Sequence, residues 1–197
     1  MQSPVCSGSG GGQCGPRAEF FRLGSGDIVE VAELERQCFS TPWSEEQFHL
    51  AFERKVFSVF GLRDAGRLVA YVAVYHLAGE LEILNVAVHP DQRRRGLGRR
   101  LLAILLQVGA KMGIHRAVLE VRTGNAPAIG LYKGLGFTRA GVRPHYYGDT
   151  GEDAIIYECD LAGWACREPE CAVPTGGPAP DAPGALVDAD ADESGGA

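Results

Sequence analysis

The sequence predicts a mixed α/β fold, a single sheet with helices on both faces, and three observations point to it. Apolar periodicity switches repeatedly between about 2 and about 3.6 residues through the middle of the chain. Leu81–Val88 is rich in branched residues and apolar on both faces, as a central strand covered from two sides must be. A leader rich in Gly, Ser and Gln and a tail rich in Pro, Gly, Ala and Asp confine the folded body to roughly residues 17–161, one domain's length.

The elements follow in order. Glu19–Leu23 is a short strand. Asp27 is placed to cap a helix whose Val31, Leu34 and Cys38 share one face. Pro42-Trp43-Ser44 breaks that helix, and Ser44 with Gln47 forms a capping box for a second, to about Arg54. Val56–Leu62 and Leu68–His76 are strands joined by the turn Asp64-Ala65-Gly66. Leu81–Val88 is the third strand of this run. Leu97, Leu101, Ile104, Leu105, Val108 and Met112 then recur at helical spacing over Gly96–Met112, and Gly113 supplies the stop. Ala117–Val121 is a strand, and Asn125 caps a short helix that ends at Gly136. Phe137–Val142 and Ala154–Cys159 complete the sheet. Such an order of strands and helices gives helices on both faces of a mixed sheet.

Residues 1–16, rich in Gly, Ser and Gln, read as a disordered leader, and 162–197, rich in Pro, Gly, Ala and Asp, as a disordered acidic tail. The 197-residue chain carries a net charge of -6, which argues against direct nucleic-acid binding. No apolar run approaches a membrane span, and the N-terminus lacks the basic and apolar regions of a secretory signal, so the expected compartment is the cytoplasm. Cys6, Cys14, Cys38, Cys159, Cys166 and Cys171 fit no zinc spacing, and neither a metal nor a disulfide is expected.

Against this acidic background Arg93, Arg94, Arg95, Arg99 and Arg100 crowd into eight residues. The same arginines would suit a solvated helix end, but their setting favours a small anion. Leu84-Asn85-Val86-Ala87-Val88-His89-Pro90 runs into Arg93-Arg94-Arg95-Gly96-Leu97-Gly98, a strand leading through a loop into a helix. Glycines let backbone N–H groups approach a ligand, the helix N-terminus adds about half a positive charge, and arginines add charge-assisted donors. Together these make a pyrophosphate site. No G-x-x-x-x-G-K-[ST] occurs, and G-x-G-x-x-G occurs only at Gly10, Gly12 and Gly15, in the polar leader away from any strand-to-helix turn, which argues against nucleotide hydrolysis and dinucleotide binding.

Arg93-x-x-Gly96-x-Gly98 resembles the coenzyme A loop [QR]-x-x-G-x-[GA] of the Gcn5-related (GNAT) N-acetyltransferases. Asn125-Ala126-Pro127-Ala128-Ile129-Gly130-Leu131-Tyr132-Lys133-Gly134-Leu135-Gly136-Phe137 is similar to that family's second signature, N-x-x-A-x-x-L-Y-x-x-x-G-F. The resemblance implies a mostly antiparallel central sheet whose Leu81–Val88 and Ala117–Val121 strands splay apart to admit the pantetheine arm of acetyl-CoA. Pro42-Trp43-Ser44, Leu119-Glu120-Val121-Arg122, Tyr146-Tyr147 and Glu152-Asp153-Ala154 most resemble the RimI-type members, which acetylate the N-terminal alanine of the eighteenth small-subunit ribosomal protein. The implied partners are acetyl-CoA and a protein N-terminus, with no membrane. A lysine side chain or small amine as substrate, or a non-catalytic acyl-CoA-binding module, remain the competing readings, because fold does not fix substrate.

The resemblance also assigns roles. Arg93, Arg94, Arg95, Gly96, Leu97, Gly98 and Arg99 hold the pyrophosphate, and Val86, Ala87 and Val88 pair backbone groups with the pantetheine amides while their side chains remain core. Asn125 both caps its helix and touches coenzyme A. Glu120, a carboxylate in an apolar strand, is expected as general base; its alternative is the solvated face of an alternating strand. Tyr132 is expected as general acid for the departing thiolate; its alternative is a packed helix aromatic. Trp43, Glu80, Tyr146 and Tyr147 are expected along the peptide groove, with core or surface positions as alternatives.

Overall fold

The computed structural model describes residues 18–164. The expected leader, and all but three residues of the expected tail, lie outside the described residues. Trp164 is only 4% exposed and packs into the core, so the folded body runs at least that far, past the expected boundary at residue 161. One large apolar side chain outweighs its Gly- and Ala-rich surroundings.

Seven strands and four helices follow the expected order. They are β1 (Glu19–Leu23), α1 (Ile28–Cys38), α2 (Glu45–Phe52), β2 (Phe57–Asp64), β3 (Arg67–Leu77), β4 (Glu80–Val88), α3 (Leu97–Lys111), β5 (Arg116–Arg122), α4 (Ala126–Gly134), β6 (Thr138–Tyr147) and β7 (Glu152–Asp160). The capping box opens α2, with Gln47 N–H donating to Ser44 Oγ at 3.2 Å and Ser44 N–H to Gln47 Oε1 at 2.8 Å. Asp27 precedes α1 but does not cap it. Its carboxylate turns back to accept from Gly24 N–H at 2.8 Å and from Arg63 at 2.8 Å, pinning the turn before the helix to β2. Helix α2 stops at Phe52, short of Arg54, and β6 runs on to Tyr147, beyond the expected Val142.

The sheet order is β1-β2-β3-β4-β5-β7-β6. Every neighbouring pair is antiparallel except β4 with β5, which α3 connects as a parallel crossover. Alternation along β3 divides the core. Val72 and Val74 face Leu101 and Leu105 of α3, while Tyr71 and Ala73 face Val31 of α1 and Phe48 of α2.

The parallel pair is short. Glu80–Ile83 align with Arg116–Leu119, and there the ladder ends, so the upper halves of β4 and β5 separate. A bulge lies at the point of separation. Ala73 aligns with Asn85 and Val74 with Ile83, which leaves Leu84 as an extra residue in β4. The side chains record the change of parity: Leu81 and Ile83 join the α3-side core, then Val86 and Val88 do, while Leu84 and Ala87 join the α1-side core. A bulge bends its strand and raises its twist, which carries β4 away from β5. The expected splay is therefore built into the backbone.

Candidate active site

The gap has two kinds of wall. On the β4 side His89 N–H donates to Val69 C=O of β3 at 2.9 Å. In an antiparallel pair such bonds alternate, so Ala87 turns its backbone groups to β3 while Val86 and Val88 turn theirs toward the gap. The Val88 carbonyl already accepts from Arg93 Nε at 3.2 Å and from Cys38 Sγ at 3.4 Å. Val86, and the N–H of Val88, remain as the groups of β4 that can pair with an extended ligand. Ala87, grouped with them on sequence grounds, can contribute only through its position between them.

Beyond Val88 the chain passes through Arg94 at φ +60° and Gly96 at φ +75° before α3 begins. A Cβ on Gly96 would meet nothing within 4 Å, so the left-handed backbone is what asks for glycine there. The first helical bond runs from Arg100 N–H to Gly96 C=O at 3.0 Å, and the N–H groups of Leu97 and Gly98 precede the ladder. At Gly98 a Cβ would make ordinary van der Waals contact, 3.4 Å from Val88 and 3.7 Å from Leu131, so packing alone does not demand glycine. The start of α3 thus sits close on β4 and α4. The arginines are not equivalent. Arg94 and Arg95 are exposed, and Arg95 hydrogen-bonds Gln92. Arg99 donates to Gly134 C=O at 3.1 Å at the end of α4. Asn125 accepts from Ala128 N–H at 3.2 Å and caps α4, as expected from its place in the sequence.

On the β5 side, Ala117, Leu119 and Val121 enter the α3-side core, so Glu120 and Arg122 point to the opposite face. Glu120 accepts from Arg143 Nε of β6 at 2.9 Å through Oε1, while its Oε2 is buried with no partner among the described residues. Tyr146 lies beside this carboxylate. Burial first, and then Glu120, hold its phenol above the ordinary range. Glu82 of β4 also faces Glu120, and burial together with that neighbour raises its carboxyl pKa. Arg122 grips the β6–β7 turn, donating to both Asp149 oxygens at 3.0 and 2.9 Å, and its guanidinium stands 3.8 Å from the centre of the Tyr147 ring. Tyr147 is 2% exposed, its hydroxyl is buried without a partner among the described residues, and burial pushes its pKa up to about 12.

Tyr132 occupies α4 on the other face of the sheet, 5.8 Å from Phe137 ring to ring. Burial, and next the Tyr147 phenol, raise its pKa beyond the ordinary tyrosine range. Tyr147 thus neighbours both Tyr132 and Glu120. An amine reaching Glu120 and a thiolate reaching Tyr132 would come from opposite faces of the sheet and meet in the gap.

Two of the expected groove residues, Trp43 and Glu80, are engaged by partners of their own. Trp43 stacks 5.3 Å from Phe48 and 6.2 Å from Phe57 and belongs to the aromatic cluster under α2. Glu80 begins β4 at its paired end, bonded to Arg116 at 3.0 Å, because the ladder between Glu80–Ile83 and β5 closes that end. Four further polar residues at the gap were not singled out by sequence: Glu35, Glu82, Asn85 and Arg143. Glu35 carried a usable signal, an acid on the same helical face as Val31 and Leu34. Among the described residues no cluster of side chains could hold a metal ion, and no helix is long and apolar enough to cross a membrane.

The profile of the acetyltransferase (GNAT) family matches residues 28–137. The [ribosomal protein bS18]-alanine N-acetyltransferase of Escherichia coli (strain K12) is 38% identical over 132 residues, 66% of this chain and 88% of its own. The N-alpha-acetyltransferase RimI of Mycobacterium tuberculosis is 38% identical over 140 residues, 68% of this chain and 87% of its own. The crystal structure of the Escherichia coli ribosomal-protein-S18-alanine N-acetyltransferase superposes with a TM-score of 0.69 at 35% identity, covering 73% of this chain and 94% of that one.

Proposed function

The chain belongs to the GNAT family of acetyltransferases, and from that premise we propose that it transfers the acetyl group of acetyl-CoA to the N-terminal α-amine of a ribosomal protein, with an alanine first. The observation that carries the reading is the bulged separation of β4 from β5, with a half-satisfied carboxylate, its second oxygen buried, on one face and a buried phenol on the other.

Acetyl-CoA supplies an activated thioester. The chain's own groups do the rest. Leu97 and Gly98 N–H, in the field of the α3 N-terminus and with Arg94 and Arg95 nearby, suit the pyrophosphate. Val86 and Val88 N–H suit the amides of the pantetheine arm. Glu120 Oε2, free of any partner among the described residues, is available to take a proton from the substrate ammonium, while Arg143 holds Oε1 and fixes the carboxylate. Tyr132, kept protonated by its surroundings, can donate to the sulfur that departs. Tyr146 and Tyr147 border the amine's approach to Glu120. Restriction of both reactants to one narrow gap supplies the proximity on which transfer depends.

The test is mass spectrometry of ribosomal-protein N-terminal peptides, free lysine-containing peptides and small amines after incubation with the enzyme and acetyl-CoA. A +42 Da shift on the alanine-initiated peptide, located at its α-nitrogen, is expected. Acetylation confined to lysine side chains or small amines would overturn the substrate assignment.

A further inference from the structure

Glu35 lies near the end of α1, and its exposure is 0%. Its neighbours on that face are apolar: Ile28, Val31 and Leu34. A buried carboxylate is costly and is tolerated only with partners, and a well-packed apolar side chain commonly does as well or better for stability. Here three donors converge on it from three separate segments. The Tyr71 phenol of β3 donates to Oε2, Asn85 Nδ2 of β4 donates to Oε1 at 3.0 Å, and Trp43 N–H, just ahead of α2, donates to Oε1 at 3.3 Å. Even so burial prevails, and the carboxyl pKa rises to about 8.

What these donors hold is the more telling fact. Asn85 is the first residue past the extra residue Leu84, at the bulge where β4 leaves β5. The placement of that bulge decides which backbone groups of β4 face the gap. A slip by one residue would turn Val86 and Val88 toward β3 and send every side chain of the segment to the other face. Trp43 belongs to the loop between α1 and α2, on the face of the sheet to which Glu120 points.

We propose that Glu35 is a positioning residue for acetyl transfer: its carboxylate pins the bulge of β4 through Asn85 and the α1–α2 loop through Trp43, and so sets the register of Val86 and Val88 and the width of the gap. A buried polar junction kept for register, at a cost in stability, is the best-attested use of such a group. The proposal rests on the acetyltransferase reading above, but not on which amine is the substrate.

The experiment uses the full chain with Glu35→Gln and Asn85→Ser, singly and together. Glutamine has the shape of glutamate but, above about pH 8 where Glu35 is ionised, turns one acceptor into a donor, which then faces Tyr71, Asn85 or Trp43, so the assays are run there. Each variant is assayed beside the wild type on the alanine-initiated peptide and on whichever amine the wild type acetylates fastest, and acetyl-CoA affinity is measured by calorimetry. A wild type inactive on the peptide but active on another amine counts against the substrate assignment alone. The expected result is a folded Glu35→Gln protein whose kcat falls about ten- to a hundredfold, whose acetyl-CoA Kd rises with it because Val86 and Val88 no longer meet the pantetheine arm in register, and whose effect is not deepened by adding Asn85→Ser. A merely structural role would lower the melting temperature and leave kcat per folded molecule unchanged. Wild-type kcat in folded Glu35→Gln overturns the proposal. Should Glu35→Gln not fold, wild-type kcat in Asn85→Ser overturns it equally, because that variant cuts the link to the bulge and leaves the bonds from Tyr71 and Trp43.

Discussion

Arg143 Nε donates to Glu120 Oε1 at 2.9 Å across β6 and β5, and the second oxygen of the same carboxylate is buried with no partner among the described residues. An oriented carboxylate with one oxygen to spare is the arrangement a general base needs. Glu120→Gln keeps the size of the side chain and removes the basic oxygen. It should lower kcat by about 10²–10⁴-fold and leave acetyl-CoA affinity nearly unchanged.

The backbone at Gly96 predicts a loss of acetyl-CoA binding on substitution. At φ +75° any Cβ is strained, by roughly 1–2 kcal/mol, and a β-branched one more so. Relief of that strain would move the N–H groups of Leu97 and Gly98. Gly96→Val should weaken acetyl-CoA at least tenfold in calorimetry while the melting temperature moves by only a few degrees. Unchanged affinity would remove this loop from the coenzyme site.

Glu35 should give the protein an unusual pH profile of stability. Its folded pKa of about 8 lies above the ordinary carboxylate value, so the folded state binds its proton the more tightly. The contribution to stability is therefore complete below about pH 4.5, declines as the pH rises, and is lost above about 8. The slope in that window is at most about 1.4 kcal/mol per pH unit, opposite in sign to the usual effect of ion-paired carboxylates. Chemical denaturation between pH 5 and 9 should show this decline in the wild type and a flatter curve in Glu35→Gln. Parallel curves would mean that Glu35 does not titrate in this range.

Much of the fold could be read from periodicity, because amphipathic runs such as Leu97–Met112 carry their own signal. The bulge at Leu84 could not, since a run apolar on both faces looks the same in either register. The site divides in the same way. Asn125 was legible because it answers a local backbone demand, a helix cap, whereas Gly96 is read in the sequence for close approach to a ligand and the structure adds its left-handed backbone. Glu82 and Arg143 were not legible, because their meaning comes from partners far along the chain, and for Glu35 the helix face signals burial but not its partner Asn85, 50 residues on. Trp43 and Glu80 show the same dependence on distant partners: a family resemblance assigns each to a groove, while the packing of α2 and the paired end of β4 set its immediate neighbours.

Trp164 tests the boundary of the folded body. At 4% exposure it packs in the α3-side core, with Trp164 N–H bonded to Leu161 C=O at 3.0 Å. Trp164→Ala should cost about 3 kcal/mol, or roughly 6–12 °C in melting temperature for a domain of this size. A shift below about 2 °C would place the boundary back at residue 161.

Tyr132 and Glu120 stand on opposite faces of the gap and should fail differently. Burial and the neighbouring Tyr147 raise the Tyr132 phenol above its ordinary range, so it carries its proton throughout the working pH range. That makes it a dependable donor but a weak acid. A thiol leaving group has a pKa near 8.5, so full proton transfer from a phenol at or above 10 runs uphill. Its contribution then comes mainly from a hydrogen bond to the sulfur as negative charge develops, in a site shielded from water. Tyr132→Phe should accordingly lower kcat by about 10²-fold, near the low end for acid–base groups, with acetyl-CoA affinity retained. No alkaline limb assignable to Tyr132 should exist below pH 10 in the wild type. Acetyl donors with more acidic thiols sharpen the test: as the leaving group improves, the gap between wild type and Tyr132→Phe should narrow, whereas the deficit of Glu120→Gln should not. If Tyr132 is only a packed core aromatic, phenylalanine at this position will leave kcat within about twofold of wild type for every donor, and proximity in the gap will be the principal source of the rate.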